Sequence, residues 1–181
     1  MKKIKYFFNF IYLYRRIFFQ VILFEIFYSI KFHKIISNIK IQDNKLRTDT
    51  VPCIYFFLHK ISNFINKHKI KSIVDVGSGF GRVVNFVSIK NNIVSYGIEY
   101  DKEVAEKSLK LKNKKVKLYC GDIFNFNLKK FQSNCFILVD PFKKIKDRNK
   151  FLNKVKKEVK KKPKYIITVN VSQYKFPKGL K

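Results

Sequence analysis

The sequence is poor in the residues that mark several common protein classes. Its three cysteines, Cys53, Cys120 and Cys135, form no CxxC pair, and its three histidines form no cluster. Neither a disulfide scaffold nor a metal site is therefore indicated, and we interpret the cysteines as small core residues of a reduced, cytoplasmic protein. No stretch of 20 uncharged apolar residues occurs, so the sequence contains no obligatory membrane span.

Acidic residues are also scarce, which leaves a strong excess of positive charge. The chain has 40 Lys+Arg against 12 Asp+Glu, a net charge of +28. Such a surface attracts phosphate backbones and anionic lipid alike. However, only 5 of the 40 basic residues are arginine, the side chain best suited to reading bases and phosphates. A nucleic-acid partner is thus possible but not favoured.

The composition along the chain divides it into two parts. The 181 residues, 46% of them hydrophobic, suffice for one domain with a sizeable core and exclude a wholly disordered protein. Residues 1–50 form a hydrophobic, aromatic segment followed by a polar connector. Residues 51–181 alternate helical and strand patterns, which is typical of an α/β fold with a mostly parallel sheet.

The pattern in the second part predicts five strands and four helices. A helix is expected from about Pro52, with Thr50 as its capping candidate. The remaining predicted elements follow in chain order: strand 72–76, helix 82–90, strand 93–98, helix 102–111, strand 116–120, strand 135–139, helix 146–161 and strand 165–171.

A glycine-rich turn between the first strand and the next helix is the strongest functional signal. It reads Val74-Asp75-Val76-Gly77-Ser78-Gly79-Phe80-Gly81-Arg82. Glycines there let a ligand lie against bare backbone, and the following helix offers free N–H groups. The third glycine comes one residue too early for a dinucleotide fingerprint, and Asp75 would repel a pyrophosphate. The turn therefore favours a ligand that carries positive charge.

The D-x-G-x-G-x-G pattern resembles the first motif of the class I S-adenosylmethionine (SAM)-dependent methyltransferases. The resemblance implies a Rossmann-like sheet flanked by helices, with SAM as cofactor. It also implies that Asp75, Gly77, Ser78, Gly79 and Gly81 bind the cofactor's methionine part.

Three further motifs follow at the intervals that this family shows, each at the end of a predicted strand. Glu99, in YGIEYD, would accept hydrogen bonds from the ribose hydroxyls, and Asp122, in YCGDIF, would read the adenine amino group. Tyr100 and Ile123 would flank the adenine ring. Asp140-Pro141-Phe142, in FILVDPF, stands where the family places its acceptor-side, catalytic motif.

These motifs do not decide which compound accepts the methyl group. Amino-methylating nucleic-acid enzymes of the family carry a second proline that this chain lacks. Small bacterial methyltransferases with an [N/D]-P-F ending and a D-T before the first helix match Asp49-Thr50 and Asp140-Pro141-Phe142 better. Membrane-tethered protein-lysine methyltransferases pair a hydrophobic N-terminus with a similar glycine loop. The expected acceptor is therefore a nitrogen or oxygen of a small molecule, a lipid-linked compound or a protein, with an RNA or DNA base as the alternative.

The N-terminal segment suggests contact with a membrane surface. Residues 17–30, IFFQVILFEIFYSI, form a 14-residue apolar run that contains Gln20 and Glu25 and follows Arg15-Arg16. The run is short for spanning, and its basic flanks fit interfacial binding to anionic lipid through residues 4–32. A helix packed on the domain and a true anchor are the alternatives.

The family sheet ordinarily continues beyond a fifth strand into a hairpin. Residues 172–181 are too few for one, so we expect a sheet without the C-terminal hairpin. This leaves a second hypothesis from another class, a catalytically degenerate basic module that binds RNA or serves as a scaffold.

Overall fold

A computed structural model of the chain describes residues 12, 15–31, 40, 50–109, 113–160 and 164–169. Within them, five β-strands alternate with helices, as the sequence predicts. The strands are β1 (Ser72–Val76), β2 (Val94–Glu99), β3 (Val116–Cys120), β4 (Cys135–Val139) and β5 (Tyr165–Val169). The helices are α1 (Phe18–Lys31), α2 (Tyr55–Lys67), α3 (Arg82–Asn91), α4 (Lys102–Leu109) and α5 (Ile145–Glu158), with short 3-10 turns at Ile123–Asn125 and Leu128–Phe131.

All five strands are parallel and follow the order β3-β2-β1-β4-β5. The order reverses at β1, whose neighbours are β2 on one side and β4 on the other. Parallel strands place their carboxyl ends at one edge of the sheet, and ligands bind at such reversal points. The register sets the glycine turn beside the end of β2, since Val76 pairs with Ile98, whose carbonyl accepts hydrogen bonds from the amides of Gly77 and Ser78. This is the Rossmann-like α/β fold that the sequence predicts.

Side chains that alternate along the strands build a separate core on each face of the sheet. Ile73 and Ile137 face a core shared with α2 and α3, whereas Val74 and Leu138 face one shared with α5. The central strands β1 and β4 are buried on both faces, which explains why β4 reads as a continuous apolar run.

Helix α1 packs on the outside of the first of these cores. Val21 and Tyr28 are buried, and the Tyr28 ring meets those of Tyr55 and Phe86 at centroid distances of 5.4 and 5.1 Å. The Tyr28 hydroxyl also forms a hydrogen bond of 3.1 Å with Nδ1 of His59. The N-terminal hydrophobic helix therefore has one face on the α/β domain, while the division of the chain at residue 50 stays a prediction.

The structure corrects the expected start of α2 and the role of Thr50. The helix begins at Tyr55, and its N-cap position, Ile54, is extended and has no side-chain cap. Thr50 does not cap the helix, because it lies five residues before Tyr55, and its backbone pairs with Lys40 in an antiparallel bridge. Residues 51–54 are instead free to run along the carboxyl edge of the sheet.

Two further expectations have different outcomes. Cys53 and Cys135 are buried as predicted, but the prediction of a core position for Cys120 is wrong. Cys120 is exposed because it ends β3, the outermost strand on its side of the described sheet. The expected absence of a C-terminal hairpin concerns residues 172–181, which lie outside the described residues. Residues 110 and 111, at the end of the helix predicted over 102–111, also lie outside them.

Candidate cofactor and acceptor site

A cavity of about 340 Å³ opens at the carboxyl edge of the sheet, where the strand order reverses. Ten of the residues predicted to form the site contribute to its wall. They are Asp75, Gly77, Ser78, Gly79, Glu99, Tyr100, Asp122, Ile123 and, from the acceptor-side motif, Pro141 and Phe142. Gly81 and Asp140 belong to the same loops but do not line the cavity.

The glycine turn needs glycine for two reasons, its backbone conformation and its close neighbours. Gly77 and Gly79 have φ of +72° and +54°, in the region that side chains disfavour. A Cβ on Gly77 would lie 2.7 Å from Cβ of Pro141, and one on Gly79 would lie 2.9 Å from Cγ2 of Thr50. The turn is therefore packed between the acceptor-side motif and the segment before α2.

Asp75 lies in the wall beneath this turn without a hydrogen-bond partner. It is 1% exposed, and neither carboxylate oxygen finds a donor among the described residues. Burial, with a smaller contribution from the nearby Glu99 carboxylate, raises the pKa of Asp75 to about 8. A buried, unsatisfied carboxyl group is costly, so its presence in a cavity wall indicates a site for a donor or cation.

Glu99 ends β2 as predicted, but its carboxylate turns toward the protein backbone. Oε2 accepts a hydrogen bond of 2.8 Å from the Gly79 amide, and Oε1 accepts one of 2.9 Å from the Asp101 amide. Burial raises the pKa of Glu99, and these backbone donors oppose that effect. Glu99 thus holds the glycine turn in addition to lining the cavity. Its predicted contact with ribose hydroxyls stays a prediction that would use the remaining lone pairs.

The residues expected around the adenine occupy one side of the cavity. Tyr100 is largely exposed and Ile123 is buried. Asp122 caps the short 3-10 turn, since its Oδ1 accepts a hydrogen bond of 2.9 Å from the Phe124 amide. The capping bond fixes the direction of the Asp122 side chain at the cavity wall.

The acceptor-side motif divides between the cavity and its surroundings. Pro141 and Phe142 line the cavity, and the Phe142 ring packs against Phe124 and Phe151 at centroid distances of 6.1 and 5.6 Å. Asp140 is exposed and has a φ of +48°, a conformation that non-glycine residues adopt rarely and at functional sites more often than elsewhere. Partial burial of its carboxyl group raises the pKa of Asp140.

Sequence reasoning missed several residues of the cavity wall, among them Arg82, Asp101 and Thr50. Asp101 caps α4 through the Val104 amide and binds Nζ of Lys40 at 3.1 Å. An aspartate directly before a helix is a recognisable capping signal, which could have marked Asp101. Thr50 and Lys40 reach the site from the polar connector, for which no local pattern predicts a contact.

The wall is therefore acidic as well as lined by bare backbone. Within the residues that the structure describes, no group of three or more His, Cys, Asp or Glu is arranged to hold a metal ion. The acidic side chains instead surround a cavity large enough for a small organic molecule. Such a wall suits a ligand with cationic and hydrogen-bond-donating groups.

A comparison with known protein families matches residues 52–170 to the family described as Histone methylation protein DOT1. The chain belongs to this family. The DOT1 family is one of SAM-dependent methyltransferases, which confirms the class I methyltransferase resemblance and SAM as the cofactor. The matched range includes every residue of this DOT1-family chain that is predicted to bind the cofactor or to form the acceptor-side motif.

Three methyltransferases are among the solved structures to which the chain is similar. An RNA methyltransferase from Salinibacter ruber, in complex with S-adenosylhomocysteine, is 20% identical over 48% of this chain and 59% of its own, with a TM-score of 0.42. The plantazolicin methyltransferase BpumL, also bound to S-adenosylhomocysteine, is 24% identical over 44% of this chain and 32% of its own, with a TM-score of 0.39. A putative O-methyltransferase from Klebsiella pneumoniae is 13% identical over 59% of this chain and 52% of its own, with a TM-score of 0.49.

The DOT1-family chain spans less than two thirds of each of these three structures. A comparison with curated proteins found no significant match. The family assignment therefore depends on the matched profile, and the fold on the strand order and register described above.

Proposed function

We propose that this protein transfers the methyl group of SAM to a nitrogen or oxygen of an acceptor held near a membrane surface. The observation that carries the proposal is the unpartnered Asp75 carboxyl group beneath the glycine turn, in the wall of the cavity. SAM has a cationic ammonium group and a sulfonium, and both favour an acidic, preorganised wall. The residues present therefore fit this cofactor.

The cofactor would be held by backbone and acidic side chains that the sequence singled out. Gly77, Ser78 and Gly79 would face its methionine part, with Asp75 as partner of the ammonium group. Glu99 and Asp122 would bind the ribose and adenine, with Tyr100 and Ile123 on the ring faces. Gly81 would act indirectly, since it opens α3 with a φ of +83° and its amide binds the Ser78 carbonyl at 2.9 Å.

Bound SAM supplies an electrophilic methyl group on sulfur. The chain's own contribution is then to place the acceptor, because methyl transfer is an in-line displacement that depends on alignment. Asp140 would accept a hydrogen bond, and then the proton, from the acceptor nitrogen or oxygen. Its raised pKa brings the carboxylate nearer to that task. Pro141 would offer its carbonyl, and Phe142 would cover the acceptor and exclude water.

The placement of the acceptor near a membrane rests on the outer face of α1. Five large apolar side chains on this face are exposed, and we call them the outer stripe: Phe19, Leu23, Ile26, Phe27 and Ile30. Their spacing of three and four residues aligns them along one side of the helix. Arg15 and Arg16 precede the helix and Lys31 ends it, so an anionic lipid surface would meet both apolar and basic groups.

None of the helices in the described parts of the chain is long and apolar enough to cross a bilayer. The membrane contact that we propose is a peripheral one, through the outer stripe and the basic residues at the ends of α1. It is tested by sedimentation with vesicles of phosphatidylcholine, with and without phosphatidylglycerol. The double variant Leu23→Ser/Ile30→Ser should lose binding to the anionic vesicles, whereas Ile145→Ser, an equally exposed isoleucine on α5, should keep it.

Cofactor binding and methyl transfer are tested directly. Titration calorimetry should detect SAM binding by the folded wild-type chain and its loss in Asp75→Asn, which keeps the shape of the side chain. Methyl-labelled SAM is then incubated with lipid, protein, small-molecule and RNA fractions of a cell lysate. Label in one of the first three fractions supports the proposal. Label in RNA alone, or no SAM binding at all, contradicts it.

A further inference from the structure

Arg82 is a buried cation in the wall of a cavity whose charged side chains are mostly acidic. It is the first residue of α3, directly after the glycine turn, and is 4% exposed. Its guanidinium donates a hydrogen bond of 2.9 Å from Nη1 to the Cys53 carbonyl and lies 3.9 Å from the centre of the Tyr55 ring. A buried charge of this kind is tolerated only when an opposite charge accompanies it.

The opposite charge comes from the N-terminal helix. Oε2 of Glu25, on α1, accepts a hydrogen bond of 2.8 Å from Nη2 of Arg82. Oε1 of Glu25 accepts one from the Tyr55 amide at the start of α2, where the N-cap position has no side-chain cap. One carboxylate thus serves both as the counter-ion of Arg82 and as the missing cap of α2. This explains why an apolar helix contains a single acidic residue.

The position of this ion pair connects it to the cofactor cavity. Cys53, Asp75 and Arg82 all line the cavity wall, and the charges of Asp75, Arg82 and Glu25 all act on the buried Cys53 thiol, whose pKa burial raises. Without Glu25, an uncompensated guanidinium would share the cavity with a cationic ligand and repel it. The Arg82 side chain would also lose one of the contacts that hold it beside the glycine turn.

We infer that Glu25 is a positioning residue of the cofactor site, which it completes from the N-terminal helix by neutralising and holding Arg82. The inference rests on the proposed function, because it takes SAM as the ligand of the cavity. Helix α1 is then part of the methyltransferase unit, in addition to forming the proposed contact with lipid.

The deciding measurement is the affinity for SAM compared with that for S-adenosylhomocysteine, whose sulfur is uncharged. Glu25→Gln keeps the size of the side chain and removes its charge. It should raise the Kd for SAM by about tenfold, a usual strength for coupling between linked sites. The Kd for S-adenosylhomocysteine should rise less. Removing the second charge as well, in Glu25→Gln/Arg82→Gln, should return the ratio of the two affinities to the wild-type value.

If Glu25 had a purely structural role, its substitution would lower the affinity for both ligands by the same factor. That result would overturn the inference, as would an unchanged Kd for SAM. Glu106→Gln, which removes an exposed carboxylate on α4, is the matched control and should change neither affinity. Circular dichroism and thermal melting establish that each variant is folded.

Hydrogen exchange of the cofactor-free protein separates this inference from the proposed function. The Gly79 and Gly81 amides are bonded to Glu99 and to the Ser78 carbonyl, so both should exchange slowly in the wild type. Glu25→Gln should accelerate their exchange, whereas unchanged exchange would contradict the positioning role. A wild-type chain that failed to bind SAM would overturn the proposed function, and the exchange comparison would still decide whether Glu25 holds the turn.

Discussion

The carboxylate of Glu99 accepts a hydrogen bond of 2.8 Å from the backbone amide of Gly79. The acidic residue at the end of β2 and the glycine turn after β1 are therefore one structural unit before any ligand is present. Because the second carboxylate oxygen accepts from the Asp101 amide, Glu99 fixes the start of α4 as well. Preorganisation of this kind reduces the free energy that a ligand must spend on ordering its site.

Glu99→Gln should destabilise the protein even in the absence of cofactor. Glu99 accepts through two oxygens, whereas glutamine has only one. The NH₂ group of the glutamine side chain would therefore face the N–H of Gly79 or of Asp101, and two donors cannot form a hydrogen bond with each other. We expect a loss of about 1–3 kcal/mol in the free energy of unfolding, measured by chemical denaturation. Glu106→Gln should stay close to the wild type. Equal stability of Glu99→Gln and the wild type would show that the two backbone bonds are absent in solution.

SAM binding should release a proton and become tighter as the pH rises toward 8. In the cofactor-free protein the pKa of Asp75 is raised to about 8, so the carboxyl group is protonated below that pH. A cationic ligand favours the ionised form and lowers this pKa on binding. The affinity should therefore rise with pH by up to about tenfold per unit and level off above the free-state pKa.

Titration calorimetry in buffers of different ionisation enthalpy measures the proton released. In Asp75→Asn both the proton release and this pH dependence should disappear along with most of the affinity. Proton uptake by the wild type, or an affinity that falls between pH 6 and 8, would contradict the assignment of Asp75 as the partner of the cationic group.

Gly79→Ala should weaken SAM binding, with part of the loss reversed by a second substitution. The new Cβ meets two obstacles, a φ of +54° and the Cγ2 methyl group of Thr50 at 2.9 Å. The backbone conformation alone costs about 1–2 kcal/mol for a residue other than glycine. Thr50→Ser removes the methyl group and leaves the backbone strain. Gly79→Ala/Thr50→Ser should thus bind SAM more tightly than Gly79→Ala and less tightly than the wild type, by calorimetry.

Asp140 variants should separate its conformation from its chemistry. Asp140→Asn and Asp140→Gly both suit a φ of +48°, and glycine should stabilise the free protein slightly. Neither variant can take a proton from an acceptor. We expect a fall in kcat of about 100-fold or more with an almost unchanged Kd for SAM, since Asp140 does not line the cavity. Full activity in Asp140→Gly would remove Asp140 from the mechanism.

The strands and the glycine turn could be predicted because their signals are local. Residues 72–76 and 135–139 are largely apolar and buried, residues 116–120 are of strand length but largely exposed, and the structure confirms all three ranges. The motif at Val74 to Arg82 combines a strand, three glycines and the start of a helix in nine residues, so composition and spacing suffice.

The contacts between distant parts of the chain could not be predicted in this way. Glu25 and Arg82 are 57 residues apart, and their pairing depends on how α1 lies on α2 and α3. The direction of the Glu99 side chain is a choice between rotamers that only the folded turn decides. Threonine is a common helix N-cap residue, so Thr50 was expected to cap a helix. In the structure its backbone instead pairs with that of Lys40.

The pairing of Glu25 with Arg82 has a practical consequence for anyone who prepares this protein. Because residues 1–31 are hydrophobic, a truncation that removes them would be an obvious way to improve the solubility of the purified protein. Such a shortened version would lose the counter-ion of Arg82 and the cap of α2 together. Detergent, or serine in place of exposed phenylalanine and leucine on α1, is therefore the better route to a sample whose catalysis can be measured.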